Sequence, residues 1–326
     1  MSKPLMSEPT KPLAGIKVLD ISRVLAGPWC GQMLADMGAD VIKVERPGSG
    51  DDTRHWGPPW LAGTEESAYY LCANRGKRSV TVDMAKPEGQ AVIKQLVAQS
   101  DVLIENFKVG GLKRYGLDYA SLKALNPKLI YCSITGFGQE SPYAHRAGYD
   151  FMIQAMGGIM SLTGKPDDEP GGGPVKSGVA FTDIFTGLYA ANAILAALYQ
   201  RRDSGVGCHI DMALMDVQVG VLANQALNYL TSGNVPQRLG NAHPNIVPYQ
   251  AFATQDGHMI MAVGNDEQFK RFCTVLSLPT LAEDPRFATN GARVNHRALL
   301  VPQLEAALAQ RTTDEWLAAF EAVGVP

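Results

Sequence analysis

The residues able to do chemistry sort the options before any fold is considered. The six histidines, at 55, 145, 209, 243, 258 and 296, never fall at the HxxxH spacing that sets two imidazoles on one helix face, so no metal site is expected. The five cysteines, at 30, 72, 132, 208 and 273, are scattered, odd in number and without a CxxC pair, as expected of free thiols in a reducing cytosol. Ser22-Arg23-Val24-Leu25-Ala26-Gly27 stands where a dinucleotide enzyme would carry GxGxxG, which disfavours nicotinamide or flavin chemistry. Gly164-Lys165 fails as a phosphate loop because Pro166 occupies the Ser or Thr position, and no GxSxG elbow occurs. Acid–base or nucleophilic chemistry by carboxylates remains.

The elements that must position such groups alternate in type. Short β-type runs at 16–21, 40–45, 79–83, 102–106 and 129–134 are interleaved with helical stretches at 29–37 and 87–100, the second opening on Pro87 at a favoured first-turn place. This pattern predicts an α/β fold, a Rossmann-like parallel sheet with helices on both faces. Ligands then bind beyond the carboxyl ends of the strands, which draws attention to Arg23, Glu45, Arg46, Asn106 and the segment from Thr135. The clearest helix is Ala- and Leu-rich, 184–202, with Asp183 just before it as its expected N-cap. A short strand at 208–214 and a helix at 215–230 follow. Residues 1–232 are read as the large domain, 233–248 as a Gly- and Pro-bearing linker, and 249–326 as a smaller α+β domain. That domain opens on a hairpin around Gln255-Asp256-Gly257 and continues in helices at 266–276, 293–310 and 314–323, the last behind a capping box, Thr312 to Glu315.

Composition narrows the class. The 326 residues are 46% hydrophobic and 19% charged, enough to bury a sizeable core. A net charge of −3 argues against a nucleic-acid partner bound through a broad basic face. No apolar run approaches the ~20 residues of a membrane span, so no membrane partner is expected. The polar stretch 1–11 lacks the apolar core of a secretory signal, which points to the cytoplasm.

Several motifs, in order and at matching distances, resemble the class III (formyl-CoA transferase-like) coenzyme A transferases. They are Val18-Leu19-Asp20 with Arg23-Val24-Leu25-Ala26-Gly27-Pro28, Val41-Ile42-Lys43-Val44-Glu45-Arg46-Pro47-Gly48, Gly50-Asp51-Asp52-Thr53-Arg54, Asn74-Arg75-Gly76-Lys77-Arg78-Ser79, Glu105-Asn106-Phe107, Gly148-Tyr149-Asp150 and Gly178-Val179-Ala180-Phe181-Thr182-Asp183. The resemblance implies that Asp183 is the catalytic nucleophile, passing through an aspartyl mixed anhydride and an aspartyl-CoA thioester. A helix N-terminus would keep it ionised and stabilise oxyanion character nearby. Without the resemblance, Asp183 reads first as a helix cap. Arg46, Asn106, Phe107 and Arg114 match CoA-site positions, and Val24 and Leu25 match residues lining the thioester end. Coenzyme A enters as substrate, and no tightly bound cofactor is implied. Arg75, Lys77 and Arg78 form a basic run that would either serve phosphates or face solvent. Tyr149 stands where the related α-methylacyl-CoA racemases place a His. A phenol with an ordinary pKa near 10 is a poor base, so transfer is preferred over racemisation.

Within the family, Trp56-Gly57-Pro58-Pro59, Arg146-Ala147-Gly148 and Ile246-Val247-Pro248-Tyr249 resemble the succinyl-CoA:glutarate (hydroxymethylglutarate) branch. Dicarboxylates are then the expected acids, with carnitine, formate or oxalate as alternatives. The carboxylate left free by such an acid wants a cation or hydrogen-bond donors, for which Arg23, Arg54, His55, Arg146, Tyr149 and His243 are candidates; Arg54 reads rather as holding its own loop through Asp51 or Asp52. The resemblance further implies an interlocked homodimer, and a C-terminal segment beyond Gly324-Val325-Pro326 that returns to the first domain. The chain is therefore expected to be a piece of a longer protein.

Overall fold

In the computed structural model, residues 11–326 are described, and most of the polar stretch read for a secretory signal lies outside them. Two compact units form. The first comprises the described residues up to Ile159 together with Lys176–Ala223. In chain order it contains β1 (Lys17–Asp20), α1 (Ala26–Asp36), β2 (Asp40–Glu45), α2 (Ala68–Cys72), β3 (Arg78–Thr81), α3 (Pro87–Val97), β4 (Val102–Glu105), α4 (Tyr119–Leu125), β5 (Ile130–Thr135) and α5 (Asp150–Met156). A short turn, α6 (Ile159–Leu162), precedes α7 (Phe181–Ser204), β6 (His209–Ala213) and α8 (Leu214–Gly220).

The six strands are all parallel, in the order β3-β2-β1-β4-β5-β6. Every residue of β4 and β5 is buried, including the polar Glu105, Ser133 and Thr135, as expected of central parallel strands covered on both faces. Alternate side chains feed opposite layers. Val18, Val102, Ile104, Ile130 and Cys132 pack with Cys30 and Leu34 of α1 and Ala190, Ala191 and Ile194 of α7. Leu19, Leu103 and Tyr131 pack with Ile93 and Val97 of α3 and Leu122 of α4. Helices therefore cover both faces. The edge strand β3 is exposed and carries Arg78, Ser79 and Thr81, polar residues suited to an unpaired edge.

Helix α7 spans 24 residues and contains a stretch of mean hydropathy 1.4, so by length and composition alone it is long and apolar enough to span a bilayer, a test that a buried core helix also meets. This corrects the expectation that no apolar segment approaches that length. Its buried face packs into the core of the unit. At its C-terminal end Gly205 takes a left-handed conformation, φ 69°, and donates its N–H to the Arg201 carbonyl. Arg201 bonds the Asp101 carboxylate at 2.7 Å and the Lys128 carbonyl at 3.1 Å, at the amino ends of β4 and β5.

The second unit comprises Met160–Val175 and Asn224–Pro326. It contains α9 (Asn224–Ser232), the antiparallel pair β7 (Tyr249–Ala253) and β8 (His258–Ala262), and α10 (Asp266–Val275), α11 (Pro279–Glu283), α12 (Asn290–Asn295), α13 (Arg297–Leu308) and α14 (Thr313–Glu321). The contacts divide the chain differently from the sequence reading, which drew the linker at 233–248. Segment 160–175 joins the second unit because Arg238 donates to the Lys165 carbonyl and Gly240 N–H to the Gly164 carbonyl. The helix expected over 215–230 is two helices, broken where Ala223 adopts φ 48°. The one expected over 293–310 breaks at His296. The Thr312–Glu315 capping box forms as read. Fully buried Arg293 is satisfied by the Val247 and Phe287 carbonyls and by Asp266, and it lies over the Phe269 ring.

Candidate active site

The strand order reverses between β1 and β4, and open parallel sheets leave a crevice at such a point, beyond the carboxyl ends. The turn that follows β1, Ser22 to Leu25, enters this crevice under tight control. Asn106, just after β4, accepts from the Arg23 N–H at 2.8 Å and donates to the Arg23 carbonyl at 2.6 Å. Asn106 is thus a clamp on the turn as well as a wall residue. Val24 adopts φ 71°, a conformation that costs a β-branched residue about 1–3 kcal/mol.

A cavity of about 480 Å³ opens there, and Arg23, Val24, Leu25, Asn106, Phe107, Arg146, Tyr149, Asp150 and Asp183 are among its walls. A second, of about 910 Å³, is lined by Arg46, Arg114, Met84 and Tyr115 among others, and the two share Arg23, Phe107, Lys108 and Val109 as a common boundary. Close backbone approach shapes the smaller one. A Cβ on Gly148 would lie 2.1 Å from the Cα of Gly136, so only glycines let the Tyr149-Asp150 segment reach the end of β5.

Asp183 lies in the first turn of α7, not at its cap. The helix starts earlier than the sequence implied because Asp150, on a distant segment, accepts from the Thr182 N–H at 2.8 Å and the Asp183 N–H at 3.2 Å. Those two N–H groups are therefore committed to Asp150. Burial in the cavity wall, and secondarily the Asp150 carboxylate, push the Asp183 carboxyl up to about 7. A helix N-terminus was expected to keep this group ionised; burial and Asp150 instead favour its protonated form. Glu105, beneath the same loop, is likewise pushed up to about 7 by burial, while its Oε2 accepts from the Phe107 N–H at 2.8 Å.

The cations divide into committed and uncommitted groups. Arg54 pairs with Glu45 through Nε and Nη2, each at 2.8 Å, and bonds Glu66 and the Tyr70 hydroxyl. It holds its own loop, but through Glu45 rather than Asp51 or Asp52. Burial opposes charge on Glu45, yet Arg54, Ser79 and the Asp51 N–H outweigh it and hold its carboxyl at about 2. The basic run is committed as well: Arg75 to Asp36, Lys77 to Asp20 in the interior, and Arg78 to Asp40. Arg46, Arg114 and Arg146 form no ion pair among the described residues; Arg114 lies over the Tyr115 ring and Arg146 over Tyr143. Arg23 pairs with half-exposed Asp52 at 3.1 Å and lies over the Phe107 ring, leaving a buried Nε unbonded. Tyr149 is 72% exposed. His243 belongs to the second unit and is not among the residues lining the Asp183 cavity; its Nδ1 accepts from the Asn245 N–H.

The sequence reading missed two contributions. Asp150 was named only within the Gly148-Tyr149-Asp150 motif, yet it supplies the cap of the helix bearing Asp183. Asp51 was read only as a partner for Arg54, although an Asp two residues before Thr53 is a local signal for the side-chain-to-backbone turn it makes.

A sequence profile of CoA-transferase family III matches residues 13–326. The chain belongs to this family. This CoA-transferase is 60% identical over 290 residues to a succinate–glutarate CoA-transferase of Agrobacterium fabrum, covering 88% of the chain and 72% of that relative. It is 48% identical over 316 residues to a succinyl-CoA:glutarate CoA-transferase of Mus musculus, covering 97% and 71%. Among solved structures, a CaiB/BaiF family protein from Brucella suis superposes with a TM-score of 0.83 at 59% identity, covering 98% of this chain and 83% of that one. The enzyme is thus a transferase acting on CoA thioesters, on an α/β scaffold.

Proposed function

We propose that this CoA-transferase moves CoA from succinyl-CoA to a dicarboxylate such as glutarate, with Asp183 as nucleophile. The observation that carries this reading is the placement of Asp183 in a cavity that also holds Arg23 and Arg146 and borders the larger, Arg46- and Arg114-lined cavity. The larger space suits the nucleotide end of CoA, with Arg46 and Arg114 on its phosphates and Phe107 at the boundary. The smaller suits the acyl group, with Val24 and Leu25 along the thioester and Arg23 and Arg146 receiving the free carboxylate. The names of the relatives support the choice of acids.

The steps balance without a cofactor. An Asp183 carboxylate oxygen attacks the succinyl thioester carbonyl, and the C–S bond breaks to give a succinyl-aspartyl anhydride and CoA thiolate. The thiolate attacks the aspartyl carbonyl, expelling succinate and leaving an aspartyl-CoA thioester. Glutarate then attacks that carbonyl to give a glutaryl-aspartyl anhydride and thiolate. Attack of the thiolate on the glutaryl carbonyl yields glutaryl-CoA and restores Asp183. Each acyl bond made is as activated as the one broken, so the thioester energy is retained.

Incubation with succinyl-CoA alone, followed by intact-mass and peptide mass spectrometry, should find CoA on the peptide bearing Asp183, and none in Asp183→Ala. Turnover by Asp183→Ala at the wild-type rate would refute the role. An acceptor panel in which only monocarboxylates react would refute the dicarboxylate assignment. The interlocked homodimer belongs to the same reading, and a monomer in sedimentation equilibrium would remove it.

A further inference from the structure

Three non-glycine residues among those described adopt positive φ, and Val24 is the β-branched one. Such a conformation persists only where its surroundings over-determine it. Four contacts do so. Both carboxylate oxygens of Asp51 lie 3.3 Å from the Val24 N–H. Lys43 Nζ donates to the Ser22 carbonyl at 2.9 Å and pairs with Asp51 at 2.9 Å, so one ammonium ties the start of the turn to the carboxylate that holds its middle. Asn106 grips Arg23 between them. Asp51 is 1% exposed, and its orientation is set by the Thr53 N–H at 3.0 Å and the Thr53 hydroxyl at 2.8 Å.

We infer that Asp51, with Lys43, is a positioning residue for transfer: it holds Val24 in the left-handed conformation and thereby sets where Val24 and Leu25 stand against the acyl group beside Asp183. A buried Asp–Lys pair whose only task was stability would have no reason to meet an N–H in a disfavoured conformation. The inference rests on reading the Asp183 cavity as the acyl site.

A double-mutant cycle tests it. Asp51→Asn keeps the shape of the side chain and removes its charge. Val24→Gly removes the conformational penalty, because glycine reaches φ 71° freely. We expect Asp51→Asn to lower kcat/KM for acyl-CoA at least tenfold in the Val24 background and less than threefold in the Val24→Gly background. Affinity for free CoA, measured by calorimetry, should change less than threefold throughout. Equal losses in the two backgrounds, or no loss in either, overturn the inference. If Asp51→Asn fails to fold, Thr53→Val takes its place in the cycle, with a smaller expected loss of about threefold that Val24→Gly again abolishes; losses independent of residue 24 overturn it here too. The acceptor is glutarate, or whichever carboxylic acid the wild-type enzyme uses, so failure of the substrate reading shows in the wild type alone and failure of this inference in the cycle alone.

Discussion

Replacing Asp183 by Asn should make the protein more stable as well as inactive, and the gain should depend on pH. The Asp183 carboxyl is held at about 7 against an ordinary value of 3.8, a rise of about 3 units. At 1.36 kcal/mol per unit this amounts to about 4 kcal/mol by which the folded protein disfavours the charge. The sign follows from proton counts: between about 3.8 and 7 the native state keeps a proton that the unfolded chain has lost, so stability falls as pH rises through that window. From pH 5 to 7 the loss is roughly 2 kcal/mol, reaching about 3 kcal/mol by pH 8, where it levels off. Asp183→Asn has no such proton. Urea unfolding of both proteins at pH 5, 6, 7 and 8 should show the variant gaining about 3 kcal/mol on the wild type across the series, less whatever solvent in the cavity screens. Curves that stay parallel at all four pH values would refute the burial argument. The same protonation predicts that kcat/KM of the wild type climbs with pH to a plateau above about 7, since only the carboxylate attacks.

Three further outcomes follow from the site. Asp150→Asn retains an oxygen to cap α7 but removes the charge; the acidic inflection of the kcat/KM profile should move down, by less than half of the total rise because burial is its larger cause, and an unchanged inflection would count against the coupling. Arg54→Ala leaves buried Glu45 without its main partner and should cost about 2–4 kcal/mol in urea unfolding, while KM for the acid acceptor changes less than threefold; a large KM effect would return Arg54 to the substrate site. Arg46→Ala and Arg114→Ala should each raise KM for acyl-CoA about tenfold, with a weaker salt dependence of binding than in the wild type, and binding indifferent to both would move the phosphates elsewhere.

What the sequence discloses here is what is local or periodic. Buried parallel strands such as 102–105 and 130–135 read from their short, mainly apolar and β-branched stretches, and Pro87 at a helix start and the Thr312–Glu315 box read from their local signals. The turns after those strands were singled out because the topology puts ligands there. What escaped depends on partners far apart in the chain. The first turn of α7 extends back to Phe181 because its cap comes from Asp150, 33 residues before Asp183. Lys77 was read as serving phosphates or facing solvent, whereas Asp20, 57 residues away, holds it in the interior. Arg54 was read as a substrate cation or as holding its loop through Asp51 or Asp52, but its partner is Glu45, at the end of β2. The state of Asp183 escaped for a related reason: a helix start is visible in sequence, whereas the burial that raises its carboxyl is not.

Helix α7 is fastened at one end by Asp150 and at the other by Arg201, which reaches the amino ends of β4 and β5. Its 24 residues correspond to about 36 Å of continuous backbone hydrogen bonding. A rod pinned at both ends has little freedom to fray or pivot, so its central amides should exchange with solvent only when the whole unit opens. The Asp183 carboxyl consequently shares the lifetime of the fold that carries it.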